Sequence, residues 1–264
     1  GRTLLEPRSI SQPWGLEAIG TAEWTGTPLG PMLEDAGVDP SAVEILFTGQ
    51  DRGVQGDEIQ DYQRSLTLED ANRNEVMLVY EMNGQPLQPQ HGFPMRLIVP
   101  GWYGMTSVKW LTKIEAISEH FDGFQMDQTY RYKQDAHDPG EPVDLIRVRA
   151  LMIPPGIPDF LTRTRLLDAG PATLEGRAWA GRLDVDRAEV SVNNGESWED
   201  ASLEEPVGKY AWRAWSRDWD ATPGNHILSV RATDSEGNIQ PTDQPWNYQG
   251  MGNNMVHRVN IVVR

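Results

Sequence analysis

The chain has 264 residues, of which 38% are hydrophobic and 8% aromatic, enough apolar bulk for the cores of two domains. A formal net charge of −16 argues against nucleic acid or an anionic membrane as a partner and favours a basic partner protein. The absence of cysteine excludes disulfides and cysteine nucleophiles, and no apolar run approaches the roughly 20 residues of a membrane helix.

Up to about residue 138, the pattern predicts short helices mixed with short strands. Apolar residues at helical spacing predict an amphipathic helix over 29–36 that ends at Gly37. A capping-box pattern starts a second helix at Thr67. The predicted strands of this half cover residues 41–47, 76–80 and 95–99.

A polar stretch with prolines and a glycine, residues 135–142, marks the boundary between two predicted domains, 1–138 and 139–264. Beyond it the pattern predicts only short strands separated by turns. Asn194 and Gly195 follow an alternating strand, and such a pair is typical of a tight hairpin because both positions need positive φ. The second half is therefore predicted to be an immunoglobulin-like β-sandwich. Its strands are expected over residues 145–152, 172–179, 187–192, 210–215, 227–234 and 255–263.

The densest group of candidate ligand-binding residues lies between positions 91 and 111. Arg96 offers a planar guanidinium to a phosphate, Lys109 offers a point charge, and Ser107 offers a hydroxyl. Glycines in the same segment let backbone N–H groups approach an anion closely. Two strands joined by a turn, with ordinary surface charges, would produce the same pattern. The residues alone therefore leave a phosphate site and a plain turn equally open.

The strings HGFPMR at 91–96 and VPGWYGMTSVKWL at 99–111 resemble the molybdopterin-binding signature of the sulfite oxidase family. Further segments similar to that family are residues 19–29, 80–87, 190–198, 210–215 and 231–241. The last three resemble its C-terminal dimerisation domain. The resemblance covers nearly the whole chain and implies an α+β fold. In this fold, part of a mixed α/β molybdopterin-binding domain, 1–138, precedes an all-β immunoglobulin-like sandwich, 139–264.

The resemblance implies a molybdenum-molybdopterin cofactor and assigns residues to it. The residues expected to contact the pterin and its phosphate are Asp51, His91, Arg96, Ser107, Val108 and Lys109. Those expected to line an oxyanion pocket beside the metal are Arg2, Trp14, Tyr130 and Arg258, with Tyr132 competing for the position of Tyr130. The family holds its molybdenum with the cysteine of a Cys-x-Gly-Asn motif, expected just before Gly1, so no residue of this chain is assigned to the metal.

For Arg258 and Trp14, a purely structural role explains the residue type and position as well as a role in the pocket does. Arg258 has the position of an outward-facing residue on a terminal strand, and Trp14 has the character of a packing residue. For both residues, the structural role and the role in the oxyanion pocket stay open at the level of the sequence.

The function that the resemblance implies is oxidation of sulfite to sulfate, with electrons passed to a c-type cytochrome that the acidic surface attracts. A homodimer through the second domain is also expected. Two alternatives are a sulfane dehydrogenase-like subunit and a non-catalytic, cysteine-free fragment that acts only in dimerisation. A nitrate reductase is disfavoured because no haem or flavin module follows. Similarity to bacterial members implies the periplasm, although the sequence itself indicates no compartment.

Overall fold

A computed structural model describes residues 1–16, 18–55 and 57–264 of the chain. Within these residues, short helices and strands alternate up to residue 132, and only strands follow. This confirms the predicted α+β class, with a mixed first unit and an all-β second unit. In the same described residues, no helix has the length and apolar character needed to cross a membrane.

The first unit holds its strands in small antiparallel sheets. The elements are helices α1 (Leu29–Asp35), α2 (Leu68–Ala71) and α3 (Phe124–Asp127), with strands β1 (Trp24–Pro28), β2 (Glu44–Gln55), β3 (Glu58–Thr67), β4 (Met77–Met82), β5 (Gln85–Pro86), β6 (Arg96–Ile98), β7 (Leu111–Ile117), β8 (Arg131–Tyr132) and β9 (Glu141–Pro142). β2 lies between β3 and β7, whereas β4 pairs with β1, β5 and β6. β8 pairs with β9, so the predicted boundary at 138/139 falls in the loop of a hairpin.

The predicted helix starts and stops in this unit are confirmed. Leu29 and Leu33 bury one face of α1, and the chain turns away at Gly37, whose φ is 69°. Thr67 caps α2 because its Oγ1 accepts a hydrogen bond of 3.1 Å from the backbone N–H of Asp70. α2 is only one turn long, since Ala71 is its last residue.

The second unit is a sandwich of two sheets. Its strands are β10 (Arg149–Ile153), β11 (Ile157–Pro158), β12 (Arg165–Leu167), β13 (Gly170–Trp179), β14 (Val185–Ser191), β15 (Glu199–Asp200), β16 (Ser202–Leu203), β17 (Arg213–Ala221), β18 (Gly224–Asp234) and β19 (Arg258–Val263). One sheet has the order β10-β13-β17-β16 and the other β11-β12-β19-β18-β14-β15. Asn194 and Gly195 have the predicted positive φ, 60° and 86°, but they lie within the longer loop 192–198 that joins β14 to β15 and do not form a two-residue turn.

Trp215 fills the centre of the sandwich core. Its side chain is fully buried, and its Nε1 donates a hydrogen bond of 3.3 Å to the carbonyl of Leu151. Gly176, on the neighbouring strand β13, lies directly against the ring. A Cβ at this position would come within 2.6 Å of the ring atom Cζ2 and 1.9 Å of the Leu151 carbonyl oxygen. The position therefore accepts only glycine without displacing the tryptophan or a strand.

Close backbone contacts join the two units at a pair of glycines. The backbone N–H of Ile146 donates a hydrogen bond of 2.9 Å to the carbonyl of Gly101. A Cβ on Gly181 would lie 2.4 Å from the carbonyl oxygen of Ile146 and 3.0 Å from that of Gly101. Both glycines have positive φ, 82° and 61°. The missing side chains thus allow the turn after β6 to lie directly on the sandwich.

Charged side chains add to this junction. Arg182 of the second unit donates a hydrogen bond of 2.6 Å to Asp70 at the start of α2. The hydroxyl of Tyr210 donates one of 2.7 Å to Glu75, which Arg73 also contacts at 2.7 Å. Burial alone would raise the pKa of Glu75, but the hydrogen bonds from Tyr210, its own backbone N–H and Arg73 lower that pKa to about 2.

Replacing Gly176 by alanine is expected to lower the free energy of unfolding by roughly 2 kcal/mol or more, because the added methyl group overpacks the core against Trp215. Urea unfolding followed by tryptophan fluorescence measures the change. Gly208→Ala is the matched control, because a Cβ at this position meets only the Cβ of Ala211, at 4.0 Å. Equal stability of the two variants would contradict the packing argument.

Glu75→Gln is expected to weaken the acid sensitivity of the fold. The carboxylate has a folded-state pKa of about 2 against an ordinary 4.5, so its stabilisation is complete above pH 4.5 and is lost as the pH falls towards 2. Between pH 5 and 2.5, the wild type should lose on the order of 1 kcal/mol more than the variant. Chemical unfolding across this range measures the difference. Glu34→Gln, at an exposed position on α1, should retain the wild-type slope.

Candidate functional site

A cavity of about 510 Å³ lies at the junction of the two units. The first unit lines it with the turn after β6, which carries Tyr103, Ser107 and Lys109. The second unit lines it with the start of β10 and with the loop 250–254. The N-terminal segment of the chain, with Arg2 and Trp14, completes the wall. Residues that are distant in the sequence therefore line the same cavity.

Hydrogen bonds hold the N-terminal segment in this position. Nε1 of Trp246 donates a bond of 2.7 Å to the carbonyl of Pro7, and Nδ2 of Asn253 donates one of 2.8 Å to the carbonyl of Gly1. Nε of Arg2 reaches the carbonyl of Gly250 at 3.2 Å. Because these bonds come from the loop before β19, the cavity depends on the second unit for its shape.

Arg96 is held by backbone carbonyls rather than by a carboxylate. Its Nη1 donates to the carbonyl of His91 and its Nη2 to the carbonyl of Ser107, both at 3.0 Å. The guanidinium carbon lies 5.2 Å from the centre of the Trp24 ring. Nε is buried without a hydrogen-bond partner. Burial lowers the pKa of Arg96 to about 10, so the group carries its charge at neutral pH with one donor unpaired.

Lys109 and Asp51 line the same cavity as Arg96. Nζ of Lys109 donates a hydrogen bond of 3.1 Å to the carbonyl of Gln90. Gly92, with φ of 104°, separates the two cations, and a Cβ there would lie 3.0 Å from that of Lys109 and 3.2 Å from that of Arg96. Burial raises the pKa of Asp51 above its ordinary value, although Lys109 opposes the shift. The glycine lets the 89–92 turn pack between the two positive side chains.

The donor set fits the predicted phosphorylated pterin. Arg96, Lys109 and Ser107 provide cations and a hydroxyl for a phosphate, and Asp51 provides an acceptor for the N–H groups of a heterocycle. Nε of Arg96 and Oδ1 of Asp51, both residues of the lining, are buried without partners. Buried polar groups left unpaired are costly, and a polar ligand would satisfy them.

Two arginines that the sequence analysis missed also line the cavity. Nη1 of Arg149 donates a hydrogen bond of 2.8 Å to the carbonyl of Asn253, while its Nε and Nη2 are buried without partners. Arg147 stacks on Tyr132, with 4.1 Å between the guanidinium carbon and the ring centre. Burial lowers the pKa of Arg149 below its ordinary value. Arginines at alternate positions on either side of Val148, where a strand starts, are the signal that could have identified them.

The charge of the cavity is opposite to that of the molecule. Among the described lining residues, five side chains are cationic and one is a carboxylate, Asp51. The cations are Arg2, Arg96, Lys109, Arg147 and Arg149. The chain as a whole carries −16. The net charge of the chain therefore repels a small anion at long range, whereas the cations of the cavity attract it at short range.

The structure brings most of the predicted site residues together. The lining includes Arg2, Trp14, Asp51, Arg96, Ser107, Lys109 and Tyr130. Tyr130 rather than Tyr132 faces the cavity, and the guanidinium carbon of Arg64 lies 5.6 Å from its ring centre. His91 contributes its carbonyl to Arg96 but does not line the cavity. Val108 is fully buried in the core of the first unit and does not line it either.

Arg258 does not line this cavity, although the family resemblance implied that it would line the oxyanion pocket. It begins strand β19, in which Val259 and Ile261 point into the sandwich core, so alternation directs Arg258 outward. Its Nε donates a hydrogen bond of 2.9 Å to Oδ1 of Asn194 in the loop 192–198. The side chain is exposed. The plainer interpretation, an outward-facing residue of a terminal strand, is the one that the structure supports.

The described residues provide no metal-ligand cluster. In residues 1–16, 18–55 and 57–264, no three histidine, aspartate or glutamate side chains are grouped as metal ligands. The sequence contains no cysteine.

Family models match both units. A model described as the oxidoreductase molybdopterin binding domain matches residues 1–125, and one described as the Mo-co oxidoreductase dimerisation domain matches residues 146–264. The predicted boundary at 138/139 lies between the two matches. Fold and cavity together define the class: a molybdopterin-binding oxidoreductase domain followed by a dimerisation domain.

The chain belongs to the sulfite oxidase family. It is 34% identical to the mitochondrial sulfite oxidase of Mus musculus over 266 residues, covering 95% of this chain and 48% of that protein. It is 32% identical to the NAD(P)H nitrate reductase of Hordeum vulgare, covering 95% of this chain and 31% of that protein. The chain thus spans about half or less of these two relatives.

A solved structure has the same fold. The sulfane dehydrogenase SoxCD from Paracoccus pantotrophus superposes with a TM-score of 0.77, at 24% sequence identity. The match covers 90% of this chain and 59% of that one. At this level of identity, the similarity concerns the arrangement of the two units.

Arg96→Met is expected to weaken pterin binding by about 1.5–3 kcal/mol, roughly tenfold or more in affinity, because it removes charged donors from a buried site. The pterin content of the purified protein, measured as its fluorescent oxidation product, is the readout. Arg52→Met removes the same charge from an exposed position of β2 and should leave the content unchanged. Full pterin occupancy in the Arg96 variant would contradict the assignment.

Proposed function

We propose that the chain forms the molybdopterin-binding and dimerisation units of an oxidoreductase that oxidises sulfite to sulfate and passes the electrons to a c-type cytochrome. The observation that carries the proposal is the strongly basic cavity in an otherwise acidic chain, at the junction of the two units. Family membership supplies the cofactor class. The activity of the sulfite oxidases among the relatives supports sulfite as the substrate.

The cations that the first unit contributes to the cavity divide into two groups by their position in the chain. Arg96 and Lys109 belong to the first unit, beside Ser107 and Asp51, and would hold the phosphate and the pterin ring. Arg2 lies at the N-terminal segment, with Trp14 and Tyr130 also in the lining. These last three residues are proposed to face the substrate: Arg2 neutralises the oxyanion, Tyr130 donates a hydrogen bond to it, and Trp14, which is 52% exposed, forms an apolar part of the wall on the solvent side.

The overall reaction balances without any further reactant. Sulfite and one water molecule yield sulfate, two protons and two electrons, and two molecules of a one-electron cytochrome accept the electrons. When bound, the molybdenum cofactor supplies the two-electron oxygen-atom transfer. The residues of this chain bind and orient the anion. A buried guanidinium attracts an anion more strongly than an exposed one, because less water screens the charge.

The acidic surface supports a basic electron acceptor. A net charge of −16 accelerates association with a positively charged partner, and added salt should slow it. A c-type cytochrome with a basic surface fits this requirement.

Nitrate reduction is a second candidate function, favoured by the similarity to the nitrate reductase of Hordeum vulgare. Nitrate is also a small oxyanion, and the pair of units is common to both kinds of relative. Charge separates the candidates, because nitrate carries one negative charge and sulfite carries up to two. The number of cations in the cavity favours the more highly charged anion.

The second unit is proposed to form a homodimer. Its family model is that of a dimerisation domain. The loop that leads from β10 to β12 exposes Ile157, Phe160 and Leu161, by 73%, 86% and 85%. An apolar group of this kind on one unit is a feature of protein interfaces, and a second copy would bury it.

The function is tested with the protein that carries this chain, purified from a host that makes molybdopterin. Sulfite is expected to reduce cytochrome c, with two cytochromes reduced per sulfite and a rate that falls with added salt. Nitrate, offered with a reduced dye, is expected to yield no nitrite. Nitrite formation without sulfite oxidation would show that the protein reduces nitrate and does not oxidise sulfite. Absence of both activities in protein with full molybdenum and pterin content would reject both.

Phe160→Asp, or Leu161→Asp, is expected to convert the dimer to a monomer, because a charge would have to be buried in the interface. Sedimentation velocity at micromolar concentration measures the change. Val207→Asp places the same charge on another residue of the second unit that is 84% exposed, and this control should remain dimeric. If the Phe160→Asp variant remains a dimer, the dimer interface does not include this loop.

A further inference from the structure

Arg147 and Arg149 give the second unit its own positive charge at the cavity. Val148, between them, is buried in the sandwich core, so alternation along the chain places both guanidinium groups on the opposite side. Both residues line the cavity. They lie within residues 146–264, the range of the dimerisation-domain match, and so belong to the unit that does not carry the proposed pterin-binding residues.

Arg147 is oriented by an aromatic ring and not by an acid. Its guanidinium lies over Tyr132 at 4.1 Å, and such stacking occupies the flat face of the group. The N–H groups in its plane are left to bind a ligand. Among the described residues, none of the ion pairs involves Arg147. Tyr132 thus fixes the plane of a cation whose charge is not neutralised.

Arg149 is the more deeply buried of the two arginines. The residue is 9% exposed, and Nη1 is occupied by the carbonyl of Asn253. Nε and Nη2, which form one edge of the guanidinium fork, are buried without partners. An unneutralised cation in such a place favours a ligand that brings negative charge near it. Gly1 packs against the group, since a Cβ there would lie 2.9 Å from Nη2.

We propose that Arg147 is a specificity-determining residue that binds the oxygen atoms of a divalent oxyanion, while Arg149 supplies a second, more deeply buried positive charge. Two guanidinium groups without acidic partners favour a doubly charged tetrahedral or pyramidal anion, such as sulfate or sulfite, over singly charged nitrate. The identity of the anion as a substrate rests on the proposed function. Binding of the anion itself does not require the cofactor.

Titration of the whole chain with sodium sulfate tests this assignment, by calorimetry at constant ionic strength set with sodium chloride. Sulfate is expected to bind the wild type at least about tenfold more tightly than sodium nitrate. Arg147→Gln should weaken sulfate binding by roughly tenfold or more, and Arg147→Lys by less, because lysine keeps the charge but loses the planar fork. Arg163→Gln removes one exposed charge from the same unit and should leave the affinity unchanged.

Several results would overturn the assignment: equal affinity of the wild type for sulfate and nitrate, no sulfate binding at all, or unchanged sulfate affinity in Arg147→Gln. An equal loss of sulfate affinity in Arg163→Gln would mean that net charge alone attracts the anion. That result would also overturn the assignment of Arg147. Tyr132→Leu, which removes the stacking ring but no charge, should weaken sulfate binding as well. The sulfate-to-nitrate ratio of the wild type needs no variant, so the test holds even if a substitution prevents folding.

The same samples separate this inference from the proposed function. If the wild type contains no pterin but still binds sulfate through Arg147, the proposed function fails and the anion site stands. If the loaded protein oxidises sulfite and Arg147→Gln leaves the sulfite KM unchanged at normal pterin content, the anion site fails and the function stands. A raised KM with unchanged pterin content supports both.

Discussion

The backbone contact between Gly101 and the chain at Ile146 and Gly181 is the constraint on which the rest of the site depends. It brings the turn after β6 directly onto the start of β10, with no side chain between them. The cavity lies at this junction and takes lining from both units. A side chain larger than hydrogen on either glycine would move the two walls apart, and with them the cations that each unit contributes to the lining.

The electrostatics of the cavity follow from burial as much as from composition. Arg2, Arg96 and Arg149 all have a pKa lowered by burial, because each has lost water that would otherwise solvate its charge. Most of their hydrogen bonds go to backbone carbonyls, which orient the guanidinium groups without neutralising them. An anion that enters the cavity therefore meets unneutralised charge in a region of low water content. This reconciles local attraction with a chain of net charge −16.

The predictable parts of the site are those that short segments build by themselves. Arg96, Ser107 and Lys109 come from one stretch of the chain, and the 89–92 turn contacts two of them because Gly92 permits it. The positive φ of Asn194 and Gly195 likewise follows from local backbone preference. Such features were visible in the sequence because residue type and spacing decide them. The very short strands of the sandwich were not visible, since two or three residues show no periodicity.

By itself, the sequence determined the α+β order of the two units, the helix caps and the cations of the 91–111 segment, because each depends on neighbours in the chain. Only the tertiary structure decided which distant residues share the cavity. Arg258 and Arg149 are both strand arginines of the second unit, yet one faces solvent and the other faces the junction. Strand alternation places each arginine on one face of its sheet. The packing of the first unit against the second decides which of these faces lines the cavity and which is left in solvent.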